Sequence, residues 1–139
     1  MKFGKTIAVL GCGLNRMYPK ENEWLFHKIL ANGGCIISEY KQDVEADMRY
    51  FPKRNRIISG ISDGVLIVEA TANRSGSIIT AKYAKEQEKT VYAVPSNIDS
   101  ITGVGTNLLI MEGATLVTKP SYIKKDLIRK QFFKNKKSK

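Results

Sequence analysis

The sequence predicts an α/β fold, with helices on both faces of a mostly parallel sheet of about five strands. Two observations predict it. The short apolar runs are continuous rather than alternating, which is how strands covered on both faces read. Helix-period segments separate these runs, and strand alternating with helix is the pattern of a parallel sheet with crossover helices.

The elements follow in order. Residues 6–10 form the first strand, and residues 21–32 a helix closed by Gly33-Gly34, where glycine suits the left-handed residue that ends many helices. Residues 35–38 make the second strand; residues 53–62 are a helix opened by Pro52 and closed by Gly64. The third strand, 64–68, leads to a helix over 77–88, and the fourth, 90–94, to a helix over 106–112 closed by Gly113. Residues 114–117 are the fifth strand. There is no internal repeat and no linker.

A chain of 139 residues has the length of one domain, and 42% hydrophobic with 26% charged residues is ordinary for a globular protein. The net charge of +10 is not ordinary and favours a polyanionic partner. It is unevenly placed: residues 121–139 hold eight bases and the single acid Asp126, a net of +7, which leaves +3 for the other 120 residues. The expected organisation is therefore a domain over 1–120 and a basic helix or tail over 121–139. Ile123, Leu127 and Ile128 give that helix a short apolar face before it frays into the polar run 134–139. A solvated tail is the expectation for it, with weak nonspecific polyanion contact as the alternative.

Cys12 and Cys35 are 23 positions apart, without a C-x-x-C pair, and His27 is the single histidine, so no metal-ligand set forms on the usual spacings. Both cysteines are expected to be reduced and buried, and His27 to be an ordinary surface residue. No metal and no cofactor are expected. No apolar stretch reaches the roughly 18 residues that cross a bilayer, and no signal-type apolar region opens the chain, so a cytoplasmic protein without a membrane partner is expected.

Ligands of a parallel α/β sheet gather at the carboxyl ends of its strands. The loop after the first strand, Gly11-Cys12-Gly13-Leu14-Asn15-Arg16, begins like a dinucleotide fingerprint but has Arg16 in place of the third glycine, and reads as a plain tight turn. The loop after the second is acidic at Glu39, Asp43, Glu45 and Asp47, then reverses sign over Arg49-Tyr50-Phe51-Pro52-Lys53-Arg54-Asn55-Arg56. Pro52 would open a helix with Lys53 to Arg56 in its first turn, where cations oppose the helix dipole. Guanidinium groups match phosphates bidentately and Tyr50 or Phe51 would stack on an unpaired base, a combination suited to single strands. After the third strand, Arg74-Ser75-Gly76-Ser77 opens a helix with Ser75 as N-cap, a turn that aims backbone N–H groups at an anion. After the fourth, Gly105 and Thr106 either approach a ligand or make the turn. Glu69 and Asp99 have no nucleophile or partner beside them, so no catalytic residue is expected.

The runs from Phe51 to Gly60, Gly64 to Ala70 and Ser75 to Ala81, then Val94-Pro95, Gly105-Thr106-Asn107 and Glu112-Gly113-Ala114, together resemble the DNA-processing protein A family, also called DprA or Smf. The resemblance covers about Thr6 to Val117. It implies a Rossmann-like three-layer domain, truncated because about half of it precedes the matching region in family members, including a Gly-Ser-Arg turn that adds an arginine to the pocket. It implies binding of single-stranded DNA during uptake and natural transformation, loading of the recombinase RecA, and no catalysis. The family's basic pocket falls on Phe51, Lys53, Arg54 and Arg56, beside Ser75-Gly76-Ser77. The expected DNA-binding residues are thus Phe51, Lys53, Arg54, Asn55, Arg56, Arg74, Ser75, Gly76, Ser77, Gly105 and Thr106. Departures are Ser96, where glycine is common, and Leu108, where a base is common. A homodimer through residues 108–111, Leu-Leu-Ile-Met in sequence, is a further expectation. The alternative is an enzyme: the Ser75 to Thr80 turn is similar to the loop of the lysine-decarboxylase-like phosphoribohydrolases, but Thr80 stands where their catalytic glutamate would be.

Overall fold

The computed structural model describes residues 4–72 and 75–137. Its contacts divide the chain into two units, Met1–Ile58 and Ser59–Lys139. The basic C-terminal helix falls within the second unit, whereas the charge distribution along the sequence suggests a boundary at Pro120.

In the first unit, β1 (Ile7–Val9) and β2 (Cys35–Ile37) pair in parallel, with Ile7 opposite Cys35 and Val9 opposite Ile37. A single 3-10 turn (Lys20–Asn22) leads into α1 (Glu23–Ala31). Gly33, at φ 70°, ends α1 in the left-handed region, as its sequence position predicts. The core gathers Leu10, Cys12 and Phe26, with Met17, Ile36 and Ala46 against them. Gly13 lies so close to the segment after β2 that an added Cβ would sit 2.2 Å from the Lys41 and Gln42 carbonyl oxygens. Its N–H donates to Val44 O at 2.7 Å and that of Asn15 to Gln42 O at 2.8 Å, so this glycine serves close backbone approach.

The helix expected over 53–62 begins three residues earlier, as α2 (Tyr50–Gly60). Asp47 starts it: its main-chain oxygen accepts from Tyr50 N and its Oδ1 from Arg49 N. Pro52 is the third helical residue, where the missing N–H costs nothing because the first four are unpaired within a helix anyway. Lys53 therefore closes the first turn and Arg54 to Arg56 lie beyond it, with an acid ahead of them, and the expected opposition between these cations and the helix dipole is relieved.

In the second unit, β3 (Gly64–Ile67), β4 (Thr90–Ala93) and β5 (Thr115–Leu116) form a parallel ladder with β4 in the middle. All five expected strands are present and every described pairing is parallel, in ladders of two and three. α3 (Gly76–Glu86) packs on β3 and β4 through Ala81 and Ala84, whose small buried side chains, three apart on one helix face, bring the backbone close to Val65, Ile67 and Val91. α4 (Val104–Met111) adds Leu109 to that core, and Gly113, at φ 95°, ends the turn after it. Burial in β3 alternates, with Val65 and Ile67 inside and Leu66 43% exposed, so the second face of this strand is not covered as its continuous apolar run predicts.

The C-terminal segment is an 18-residue helix, α5 (Pro120–Lys137), rather than a short helix fraying at residue 134. Ser138 and Lys139 lie outside the described residues. Its one acid holds it to the sheet: Tyr92 Oη donates to Asp126 Oδ2 at 2.8 Å, and Lys130 Nζ reaches both Asp126 Oδ2 at 2.8 Å and Thr90 Oγ1 at 2.6 Å. No described helix is long and apolar enough to cross a membrane.

Candidate nucleic-acid interface

The first unit brings together the carboxyl end of β1 and the start of α2. Phe51 lies over Gly11, where an added Cβ would meet its ring at 3.0 Å, and its ring is 5.8 Å from that of Tyr18. The Arg54 guanidinium stands 5.7 Å from the same ring, one helical turn further along α2. Its Nη1 donates to the carbonyl of Val9, the last residue of β1, and its Nε to Asn55 Oδ1 at 3.1 Å. Asn55 is itself buried, so it orients Arg54 from below. Burial lowers the Arg54 pKa from its ordinary value, with the nearby Cys12 thiol acting in the other direction, but a guanidinium keeps its charge throughout.

The four bases of this segment are not equivalent. Arg49 is paired with Asp47 in a two-pronged contact, Nε to Oδ1 at 2.9 Å and Nη2 to Oδ2 at 2.6 Å. Those hydrogen bonds, with the one from the Arg49 N–H, hold the Asp47 carboxyl down to about 2. Arg56 pairs with Glu39. Among the described residues, Lys53 and Arg54 have no carboxylate within ion-pair distance; Lys53 is exposed and Arg54 half-buried. Tyr50 stacks on Tyr40 with centroids 4.2 Å apart, and Phe51 is the aromatic that shares its site with Arg54.

In the second unit two loops meet at the carboxyl end of β3. Ser75 caps α3 as expected, its Oγ accepting from Ile78 N at 3.3 Å, and Gly76 faces open space, with nothing within 4 Å of an added Cβ. Arg74 lies outside the described residues. Gly105 N donates to Ala70 O at 2.8 Å, and a Cβ there would sit 2.6 Å from the same oxygen. Thr106 is 0% exposed and its hydroxyl donates to Gly103 O at 2.9 Å. These two residues build the loop, and the buried threonine spends its hydroxyl within it. Asn107, read in the sequence as part of the family resemblance but not as a site residue, clasps the loop after β4 by accepting from Ser96 N and donating to Ser96 O, both at 3.0 Å. A single asparagine gives no sequence signal for such a clasp.

Elsewhere the expectations divide. Cys12 is buried but Cys35 is exposed, because the first residue of β2 lies at the amino end of the ladder, away from the core. His27 is exposed on α1, 3.9 Å from Glu23. Thr80 Oγ1 donates back to Gly76 O at 3.0 Å, and Glu69 and Asp99 are exposed, so the phosphoribohydrolase alternative gains no carboxylate at the turn. Within α4, Leu109 is core while Leu108 and Met111 are exposed. Among the described residues, no three His, Cys, Asp or Glu side chains gather as a metal site.

Parallel strands joined through helices define an α/β protein in each of the two units. The chain belongs to the DNA recombination-mediator protein A family, whose sequence model matches residues 1–128. It is 48% identical to protein Smf of Escherichia coli strain K12 over 89% of this chain and 33% of that protein. It is 44% identical to the DNA processing protein DprA of Streptococcus pneumoniae over 83% of this chain and 40% of that protein. The crystal structure of DprA from Streptococcus pneumoniae superposes with a TM-score of 0.75 at 42% identity, covering 85% of this chain and 41% of that one. A DNA processing protein A structure from Helicobacter pylori, described for its single-stranded DNA binding mode, superposes with a TM-score of 0.73 at 28% identity, covering 91% of this chain and 57% of that one. The chain thus spans a third to two fifths of the length of the two curated relatives.

Proposed function

We propose that this chain binds single-stranded DNA at the carboxyl end of β1 and the start of α2, as a DNA-processing domain acting in DNA uptake, transformation and recombination. The observation that carries the reading is Arg54: a half-buried cation without a carboxylate partner among the described residues, fixed on the Val9 carbonyl and flanked by the Phe51 ring. A fixed guanidinium suits a phosphate oxygen, and an aromatic beside it suits an unstacked base. Lys53 adds an exposed charge, Arg56 brings a charge already shared with Glu39, and Asn55 positions Arg54. Separately, Arg74 with Ser75, Gly76 and Ser77 supplies charge and backbone N–H groups for a phosphate, with Gly105 and Thr106 shaping the adjoining loop. The family description, a recombination mediator, supports a recombinase such as RecA as protein partner, and exposed Leu108 and Met111 suit self-association.

The test is a salt-titrated binding curve on oligothymidylate. Each phosphate neutralised on a single strand contributes about −0.7 to the slope of log affinity against log salt, so Arg54→Ala should flatten the slope by about 0.7. A slope unchanged in that variant, or equal affinity for duplex of the same length, overturns the proposal.

A further inference from the structure

The largest concentration of charge in the molecule lies outside the site just described. α5 carries most of the bases of residues 121–139, and its one acid is consumed internally: Asp126 accepts from Tyr92 at 2.8 Å and pairs with Arg129 at 3.0 Å and Lys130 at 2.8 Å. What remains outward is basic and aromatic, with the exposed Ile128 among it. Lys124 and Lys125 are exposed and make no ion pair among the described residues. Tyr122, Lys125 and Arg129, then Phe132 and Phe133, recur at three- and four-residue intervals, which puts them on one side of a helix. Of the apolar face expected at Ile123, Leu127 and Ile128, the first two are half-buried against the protein and Ile128 is 57% exposed. Phe132 and Phe133, 56% and 57% exposed with centroids 5.9 Å apart, are extra to it.

We infer that the outer face of α5 is a second contact surface for single-stranded nucleic acid, with Lys124 and Lys125 on phosphates and the Phe132–Phe133 pair stacking on bases. The identity of the ligand rests on the function proposed above; the surface does not. Bases interleaved with rings are the chemistry by which single strands are held without sequence preference. Lysine-rich faces are poor protein interfaces, since lysine is depleted there. A bilayer-bound helix needs a continuous apolar face toward lipid, and here Lys125 and Arg129 interrupt the exposed Ile128, Phe132 and Phe133. Phe133 and Lys130 also line a groove of about 660 Å³ with Asp63, Glu88 and Thr90 at the amino ends of β3 and β4. Lys89 and Arg129 line it too, so it offers cations to phosphate beside carboxylates that accept from exocyclic amines. The backbone tracks Lys124 and Lys125, and a base turns inward beside Phe133.

The experiment uses the full chain and fluorescein-labelled oligothymidylate, with circular dichroism as the check on folding. Lys124→Ala with Lys125→Ala should flatten the salt slope by about 1.4. Phe132→Ala with Phe133→Ala should leave the slope unchanged and weaken binding about tenfold per stacked ring. Oligonucleotide carrying 5-iodouracil should crosslink to the peptide holding Phe132 and Phe133. Unchanged DNA binding in both variants overturns the inference. So does loss of binding to phosphatidylserine vesicles, or of a dimer in sedimentation, with DNA affinity intact. Arg54→Ala in the same series separates the two claims. If it is silent while the α5 variants weaken binding, the α2 site fails and the α5 surface stands; if it weakens binding while the α5 variants are silent, the α2 site stands and the α5 surface fails.

Discussion

Arg54 shows how one side chain acquires a role from its neighbours rather than from its type. Three arginines lie between positions 49 and 56, and two of them meet carboxylates, Asp47 and Glu39. An exposed ion pair contributes little to stability, typically below about 1 kcal/mol, yet it lowers the charge that a phosphate would feel. Removing Glu39 should therefore help DNA: Glu39→Gln is expected to strengthen oligothymidylate binding about twofold, the equivalent of a weak surface pair, whereas Glu21→Gln on the 3-10 turn should not. Anisotropy titrations at one salt concentration read the difference, and a weakened Glu39→Gln variant would show that the pair positions Arg56 for DNA.

At the scale of elements, two helices depend on acids. At the start of α2, the Asp47 carboxyl is held down to about 2 from an ordinary 3.8, first by the Arg49 side chain and then by its N–H. A carboxyl lowered in the folded state contributes stability above its unfolded pKa and loses it as pH falls through the folded one. The start of α2 should thus hold at pH 4 and open as pH falls toward 2, and the Asp47 carboxyl resonance should report that titration. For α5 the sign is opposite. Burial, then the hydrogen bond to Asp126, pushes the Tyr92 hydroxyl up to about 12 from 10, so its contribution is complete below pH 10 and lost as pH rises toward 12. Tyr92→Phe removes a hydrogen bond to a charged group and should cost about 1.5 kcal/mol in urea unfolding, with the ultraviolet signature of a high-pKa tyrosine lost. A cost near zero would mean that Arg129 and Lys130 satisfy Asp126 unaided.

Across the whole molecule, the strand and helix order is legible because continuous apolar runs and glycine stops are local signals. Gly33 and Gly113 mark real helix ends, and the Ser75 cap is readable from one residue type beside a glycine. The start of α2 is not, since proline suits any residue of the first turn and only the Asp47 bonds fix the register. Apolar continuity also overstates coverage: Leu66 and Leu116 carry strand-type side chains that no described helix covers fully. At the site, the cluster of bases is visible in one dimension, but which of them retain unshared charge depends on Glu39, 17 residues from Arg56 in sequence. The fully buried Thr106 is likewise indistinguishable in sequence from an exposed loop threonine.

The two sulfurs turn this packing into a measuring device. Cys12 is 1% exposed, with its thiol donating to the Arg16 carbonyl and burial pushing its pKa up, while Cys35 is exposed at the start of β2. A maleimide reagent should therefore modify one thiol at once and the other only as fast as the loop after β1 opens. Because Cys12 follows the glycine on which Phe51 rests, the slow labelling rate becomes a clock for that loop, and saturating oligothymidylate should slow it further. Equal labelling rates for both thiols would show that the loop is already open in the free protein.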